Sequence, residues 1–395
     1  MSEQRVPNRR WRTGVLLGFG VLANYLDRLN LSVAAPQLQQ TFHLSPGQVG
    51  IFLSAFFWSY ALAQVRSGIL LDRIGPTRIG RWSTFLWGFA SLITALAGGF
   101  GGVLAARILL GVAEAPGFPL NAKVTGYWFP RKERAFATAL FDAAAKFSNV
   151  IGIPLIACLV VGAGWRWGFG LTAVLSFIYF AAFFVIYRDP SADPGLSRGE
   201  YQYILEGGAT AEGHIESSSM GMLGYLLTKT KMWALIVGFG AYGYTFYLLL
   251  TWLPSYLVQI MHVNILHSAS YAAIPWAVAT VADLLVGGWL IDRLVAGGYD
   301  QSQVRKAVLV GGMTLGLSIF GVTLTANPAW AILWISLALG GLSAAAPVCW
   351  SLPSLIAPKA GVGSVASLMN LSNNLLGGAA PNSRRSSAVA PRAAL

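Results

Sequence analysis

Seven ionisable side chains lie inside long apolar runs of this 395-residue chain: Asp27, Glu114, Asp142 and Asp283, with Arg28, Arg107 and Lys146. An ionised group at bilayer depth costs roughly 2.5–3.5 kcal/mol on insertion scales, so such groups normally face a protein-lined cavity and find partners there. A guanidinium is a planar fork of donors that matches a carboxylate, which makes Arg28 a candidate anchor for an anionic substrate. A carboxyl group in a low dielectric holds a proton more readily than one in water, so Asp27 and Glu114 are candidate proton carriers. Arg107 would favour the charged form of whichever acid it touches, and its exchange between partners would couple protonation to conformation.

Spacing sharpens this reading. Arg107, Gly111 and Glu114 stand at i, i+4 and i+7, which puts them on one helical stripe, and glycine there lets a neighbouring helix approach closely. Asp27 and Arg28 are adjacent, about 100° apart around a helix, so they need not pair with each other. Tyr60 and Gln64, one turn apart, add a hydroxyl and an amide. Asp142 and Lys146, at i and i+4, should pair; alternatively Lys146 meets a second substrate carboxylate. Asn370 and Asn374 share a face and could hydrogen-bond a polyol, with Asn373, Trp252 and Tyr256 as further polar and aromatic candidates. Asp283 reads as structural or gating. A bland alternative holds throughout, that the charges are static ion pairs between helices. Two acids and two arginines beside Tyr60 in one half favour transport over it.

Other chemistries find no footing. His43, His262 and His267 fall in outer loops and His214 in a polar stretch, while Cys158 and Cys349 sit in apolar runs without a zinc-like spacing. No metal site, cofactor site or Ser/His/Asp constellation is evident, so an enzyme is not expected.

The elements that must position these groups are membrane spans. Hydrophobic residues make up 55% and charged residues 11%, against about 25% charged in soluble domains; such a chain cannot cover a water-facing surface, so its outer wall must face a lipid bilayer. Apolar runs lie near 13–36, 48–71, 79–98, 101–123, 135–161, 167–187, 232–258, 268–291, 306–325, 328–357 and 361–381. Lys and Arg concentrate in alternate loops, after the second, fourth, sixth, eighth and tenth runs, which places the N-terminus in the cytoplasm. That loop bias also accounts for the net charge of +12 without a nucleic-acid partner.

The segment Ser67-Gly-Ile-Leu-Leu-Asp72-Arg73-Ile-Gly75 is echoed by Gly287-Gly-Trp-Leu-Ile-Asp292-Arg293-Leu, each closing the second span of a half. Parallel repeats of this kind place a substrate site at the midplane between halves. The expected organisation is an N-terminal six-helix half over 1–187, a cytoplasmic linker over 188–229, a five-span C-terminal half over 230–381 and a polar tail over 382–395. The tail, with Arg384, Arg385 and Arg392 on the outer side, cannot be a twelfth span, and a truncated or frame-shifted gene is the expected reason.

With these residues placed, the chain resembles the anion:cation symporter family of the major facilitator superfamily, which includes bacterial galactonate, glucarate, hexuronate and phthalate permeases. Four stretches carry the resemblance: Asn24 to Asn30; Gly68 to Arg78; Arg107 to Pro119 with Trp128-Phe-Pro130 and Glu133-Arg134; and Thr251 to Leu257. The resemblance implies an all-α polytopic fold of two six-helix halves. It implies that Asp27 and Glu114 couple protons, that Arg28 binds the substrate carboxylate with Tyr60 nearby, that Arg107 links them, and that Asp72, Arg73 and Arg78 gate the cytoplasmic side, as Asp292 and Arg293 would in the second half. Arg66 stands where proline is usual, and the pair Asp142/Lys146 departs from many members. The expectation is a monomeric inner-membrane symporter of a small organic anion, with protons as coupling ion. An exchanger or facilitator, or an inactive remnant, is the alternative.

Overall fold

The computed structural model describes residues 7–210, 212, 224–259, 265–357 and 361–379. Every long element among them is helical. The first half holds α1 (Arg9–Thr41), α2 (Pro46–Ile74), α3 (Pro76–Leu96), α4 (Phe100–Glu114), α5 (Gly117–Trp128), α6 (Arg134–Ala163) and α7 (Trp165–Ile186). The second half holds α9 (Thr230–Gln259), α10 (Ile265–Ala282), α11 (Ile291–Ala296), α12 (Gln301–Gly316), α13 (Pro328–Ile356) and α14 (Val362–Ala379). A short helix, α8 (Arg198–Glu206), lies between them. Among the described residues eight helical segments are long and apolar enough to cross a membrane, and their outward faces carry bare apolar side chains such as Trp58, Leu62 and Val161. In water such a surface would aggregate; in lipid it is the solvated face.

Local chemistry sets the corners. Ser45 caps α2 by accepting from the Gln48 amide at 3.3 Å, while the Gln48 side chain accepts from the Ser45 amide at 2.9 Å, a reciprocal capping box. Gly75 and Gly164 adopt φ of 91° and 94° at the tight α2–α3 and α6–α7 turns, a region glycine enters without steric cost. The fourth apolar run, expected as one span, is one span over Phe100–Trp128, interrupted at Ala115–Pro116 between α4 and α5, because proline removes a helical donor and clashes with the preceding turn. The eighth run continues past Ala282 as a π-helical segment, Asp283–Leu290, before α11. α12 likewise tightens into a 3-10 stretch, Leu317–Leu324.

The halves meet along two seams. α2 packs on α14, and α6 packs on α10 and the π-helical segment. Close approach at the first seam depends on Gly68, where an added Cβ would lie 2.6 Å from the Ser367 Cβ and 2.7 Å from the Gly363 carbonyl.

The stretch after α7 is less free than its acidity suggested. Glu200 of α8 is buried and accepts from the Arg9 and Arg10 amides at 3.2 and 3.1 Å, so it caps the N-terminus of α1. Arg9 pairs with Asp193 at 2.7 Å, and Arg10 pairs with Glu133 at 2.6 Å and Glu200 at 3.0 Å. Burial, and then its bond to Glu133, push the Tyr203 hydroxyl up from its ordinary range. The tail over 382–395, the side chains of Trp252 and Tyr256, His262, His214 and Lys359 lie outside the described residues.

Candidate functional site: a cavity between the halves

Between the halves lies a cavity whose wall includes Arg28, Tyr60, Lys146, Asn370 and Asn374. These are the five side chains that sequence reasoning nominated for substrate, brought from four different helices. Its free volume is about 20 Å³, room for a water-sized group.

Arg28 reaches the cavity from α1. Its Nε donates to Glu114 Oε2 at 3.0 Å, and its guanidinium lies 5.0 Å from the ring centres of Tyr25, Phe56 and Tyr60. Aromatic faces are favourable neighbours for a cation taken out of water. Arg28 Nη2 and Glu114 Oε1 have no hydrogen-bond partner among the described residues. Arg28 thus commits its Nε to Glu114 and leaves Nη2 without an aligned hydrogen-bond partner among the described residues.

Arg107 and Glu114 share the α4 stripe, as spacing required. Both are buried, and Arg107 lies 5.1 Å from the Phe56 ring centre with its Nε unpartnered. Gly111 between them permits contact with α2: an added Cβ would lie 2.5 Å from the Phe56 carbonyl and 2.9 Å from the Tyr60 amide. Asp27 faces elsewhere. It is buried within the first half, accepting from Trp87 Nε1, from Ser91 Oγ at 2.8 Å and from Ser176 Oγ at 3.0 Å. All of these donors are neutral, so Asp27 can change protonation without breaking an ion pair.

The second half supplies an amide network. Asn370 Nδ2 donates to the Tyr60 hydroxyl at 2.7 Å and reaches Gln64 Oε1 at 3.4 Å. Asn374 Nδ2 donates to Asn370 Oδ1 at 3.0 Å, and the Tyr247 hydroxyl donates to Asn374 Oδ1 at 3.3 Å. Lys146 pairs with Asp142, one turn earlier, and its Nζ also lies 2.7 Å from Asp283 Oδ2 of the opposite half. This second partner was not legible from spacing. Tyr25, Phe118, Tyr242, Tyr247 and Trp350 also line the cavity and were missed. Tyr25 sits three residues before Arg28, a helical neighbour that could have flagged it.

The repeated Asp-Arg motifs form two latches at the end of the bundle that carries the basic loops. Asp72 is buried and accepts from the Gly363 amide at 2.9 Å, the Ser364 amide and hydroxyl at 2.7 Å each, and Lys123 Nζ at 2.8 Å. It thus caps the N-terminus of α14 across the seam, where the helix dipole favours a carboxylate. Asp292 accepts from the Ala135 and Phe136 amides at 3.2 and 2.8 Å, capping α6 in the same way from the other half. Arg73, Arg78 and Arg293 are exposed. Lys123 went unnoticed by sequence reasoning, although a lone lysine ending an apolar run was a signal. Among the described residues no three His, Cys, Asp or Glu side chains gather as a metal site.

Residues 17–381 match the sequence profile of the Major Facilitator Superfamily. The chain belongs to the major facilitator superfamily. It is 39% identical over 381 residues to the uncharacterized transporter YybO of Bacillus subtilis, covering 96% of this chain and 88% of that protein. It is 30% identical over 383 residues to a D-galactonate transporter of Escherichia coli, covering 95% and 89%. Among solved structures the proton:xylose symporter XylE aligns with a TM-score of 0.72 at 15% identity, over 96% of this chain and 90% of that one. The chain is thus a major facilitator transporter with an all-α polytopic membrane fold, not an enzyme, and its resemblance to the galactonate and glucarate permeases is borne out.

Proposed function

We propose that this major facilitator transporter carries small organic anions of the sugar-acid kind into the cell together with protons, by alternating access. The observation that carries this reading is the Nη2 of Arg28 in the cavity wall, without an aligned partner among the described residues and held beside a carboxylate that competes for the same guanidinium. A proton on Glu114 releases the second arm of the fork, and a substrate carboxylate then takes both. Proton and anion therefore bind in mutual support, which is the thermodynamic content of symport. Tyr60, Asn370 and Asn374 offer hydroxyl and amide groups to a polyol chain, and Lys146 offers a second cation to a diacid. The D-galactonate relative supports this substrate class.

With about 20 Å³ free, an anion of this size enters only when the halves separate at one end. Under the positive-inside rule the latched end is cytoplasmic, so the latches hold the inner gate shut until the loaded cavity tips the halves. The protein acts as a monomer in the inner membrane, N-terminus in the cytoplasm, with Asp27 as a further proton carrier and Arg107 linking the two acids through their shared field. In proteoliposomes, galactonate uptake should draw protons inward and alkalinise the outside. Uphill uptake should fail in Glu114→Gln while counterflow persists. Uptake without proton movement would leave a facilitator or exchanger and end the symport reading.

A further inference from the structure

Arg28 and Glu114 suffice for one carboxylate and one proton, which leaves the two acids around Lys146, Asp142 and Asp283, without a role. Asp283 is fully buried, and Lys146 Nζ lies 2.7 Å from its Oδ2 across the boundary between the halves. Neither Asp283 oxygen has an aligned hydrogen-bond partner among the described residues. The groups around it are Asp142 and Lys146 from α6 and the Tyr242 hydroxyl from α9, with the Cys349 thiol of α13 near Asp142 and Tyr242. Tyr271, further back on its own span, is exposed. Two carboxylates thus share one ammonium, and no second cation stands in that set.

The two acids are not equivalent. Asp142 shares a helix with Lys146, so their pair survives any movement of the halves. Asp283 comes from the other half, and among the described residues its one counter-ion, Lys146, is on loan across the seam. It is also the first residue of the π-helical segment Asp283–Leu290, and such turns recur where a helix must change register at a functional site. Gly287 and Gly288 bring this segment against α13 and α6: an added Cβ would lie 2.7 Å from the Ala344 carbonyl and 2.7 Å from the Ala139 Cβ, respectively.

We propose that Asp283 is a further proton-binding site beyond Glu114 and Asp27, the one on the C-terminal half, whose occupancy Lys146 controls. When the ammonium turns to a substrate carboxylate, or the halves separate, the Asp283 carboxylate takes a proton from the water of the open side. When the pair re-forms, the proton leaves and Lys146 remains an ammonium throughout. The inference rests on the proton-coupled reading above and deepens it: a diacid that engages Lys146 carries one proton more than a monoacid.

Infrared pH-difference spectra of the purified full-length chain read protonated carboxyl groups directly, without a substrate. Asp283→Asn should delete one titrating carboxyl C=O band that Asp142→Asn retains. Lys146→Gln should move that band's titration to higher pH, and Lys146→Arg should leave it near its wild-type position. If Asp283→Asn fails to fold, the Lys146 pair decides, since a titration that ignores both Gln and Arg overturns the proposal. Spectra of Asp283→Asn that superimpose on wild type at every pH also overturn it. Glu114→Gln reports separately on the first proton site, so loss of a band there with no change at Asp283, or the reverse, tells the two readings apart.

Discussion

Replacing Asp72 by asparagine keeps the shape of the latch but removes its charge and turns one of its two acceptor oxygens into a donor. Asp72 accepts three bonds from the start of α14, from the Gly363 amide, the Ser364 amide and the Ser364 hydroxyl, and a fourth contact from Lys123. Hydrogen bonds to a charged group contribute about 1.5–3 kcal/mol each and neutral ones about 1 kcal/mol, so each of the three bonds loses at least about 0.5 kcal/mol and the latch at least about 1.5 kcal/mol. At 1.4 kcal/mol per tenfold, the population open at the basic end should rise at least about tenfold. A reporter is available in Ser367, which is fully buried on the α2–α14 seam. Ser367→Cys, in a background where the exposed Cys158 is serine, should react with a membrane-impermeant maleimide faster by that factor once Asp72→Asn is added. An unchanged labelling rate would refute the assignment of Asp72 as a gate, whatever the transport activity.

Asp292→Asn should open the same end by a smaller factor, because it accepts two bonds rather than three; an effect larger than that of Asp72→Asn contradicts the bond count. Arg28→Lys keeps a cation for Glu114 but cannot offer a bidentate fork, so KM for galactonate should rise at least about tenfold, the worth of about 1.4 kcal/mol, with thermal stability close to wild type. Glu114→Gln leaves Arg28 buried and uncompensated, a loss of about 3–5 kcal/mol, so the melting temperature should fall; a stable Glu114→Gln protein would mean that the Arg28 pair is not formed. Gly111→Val should reduce stability by about 1–3 kcal/mol or more, since its new atoms would meet the Ser59 hydroxyl and, beside it, backbone of α2 that cannot move aside.

The site was legible because charge is expensive in lipid. Arg28, Tyr60, Lys146, Asn370 and Asn374 stood out as polar groups inside apolar runs, and folding gathers all five around one cavity. Asp27 stood out for the same reason, yet it turns inward to Trp87, Ser91 and Ser176, since a helical pattern fixes relative angles between side chains but not which neighbour each angle meets. The aromatic wall of Tyr242, Tyr247 and Trp350 was hidden among many aromatic residues that simply pack. The stretch over 188–229 read only as a cytoplasmic linker, whereas Glu200 and Asp193 within it are bound to the start of α1. Hydropathy has no term for that pairing.

Composition and the succession of long apolar runs alone determined the class, an all-helical polytopic membrane protein, because lipid tolerates only helices with their backbone bonds closed within each segment. Tertiary structure decided what spans more than one segment. It matched Asp72 with the first turn of α14 and Asp292 with that of α6, gave Glu114 rather than Asp27 to Arg28, and lent Lys146 to Asp283. Such pairings depend on how helices rotate and cross, which depends on contacts remote in the chain, and no local pattern of residues encodes them.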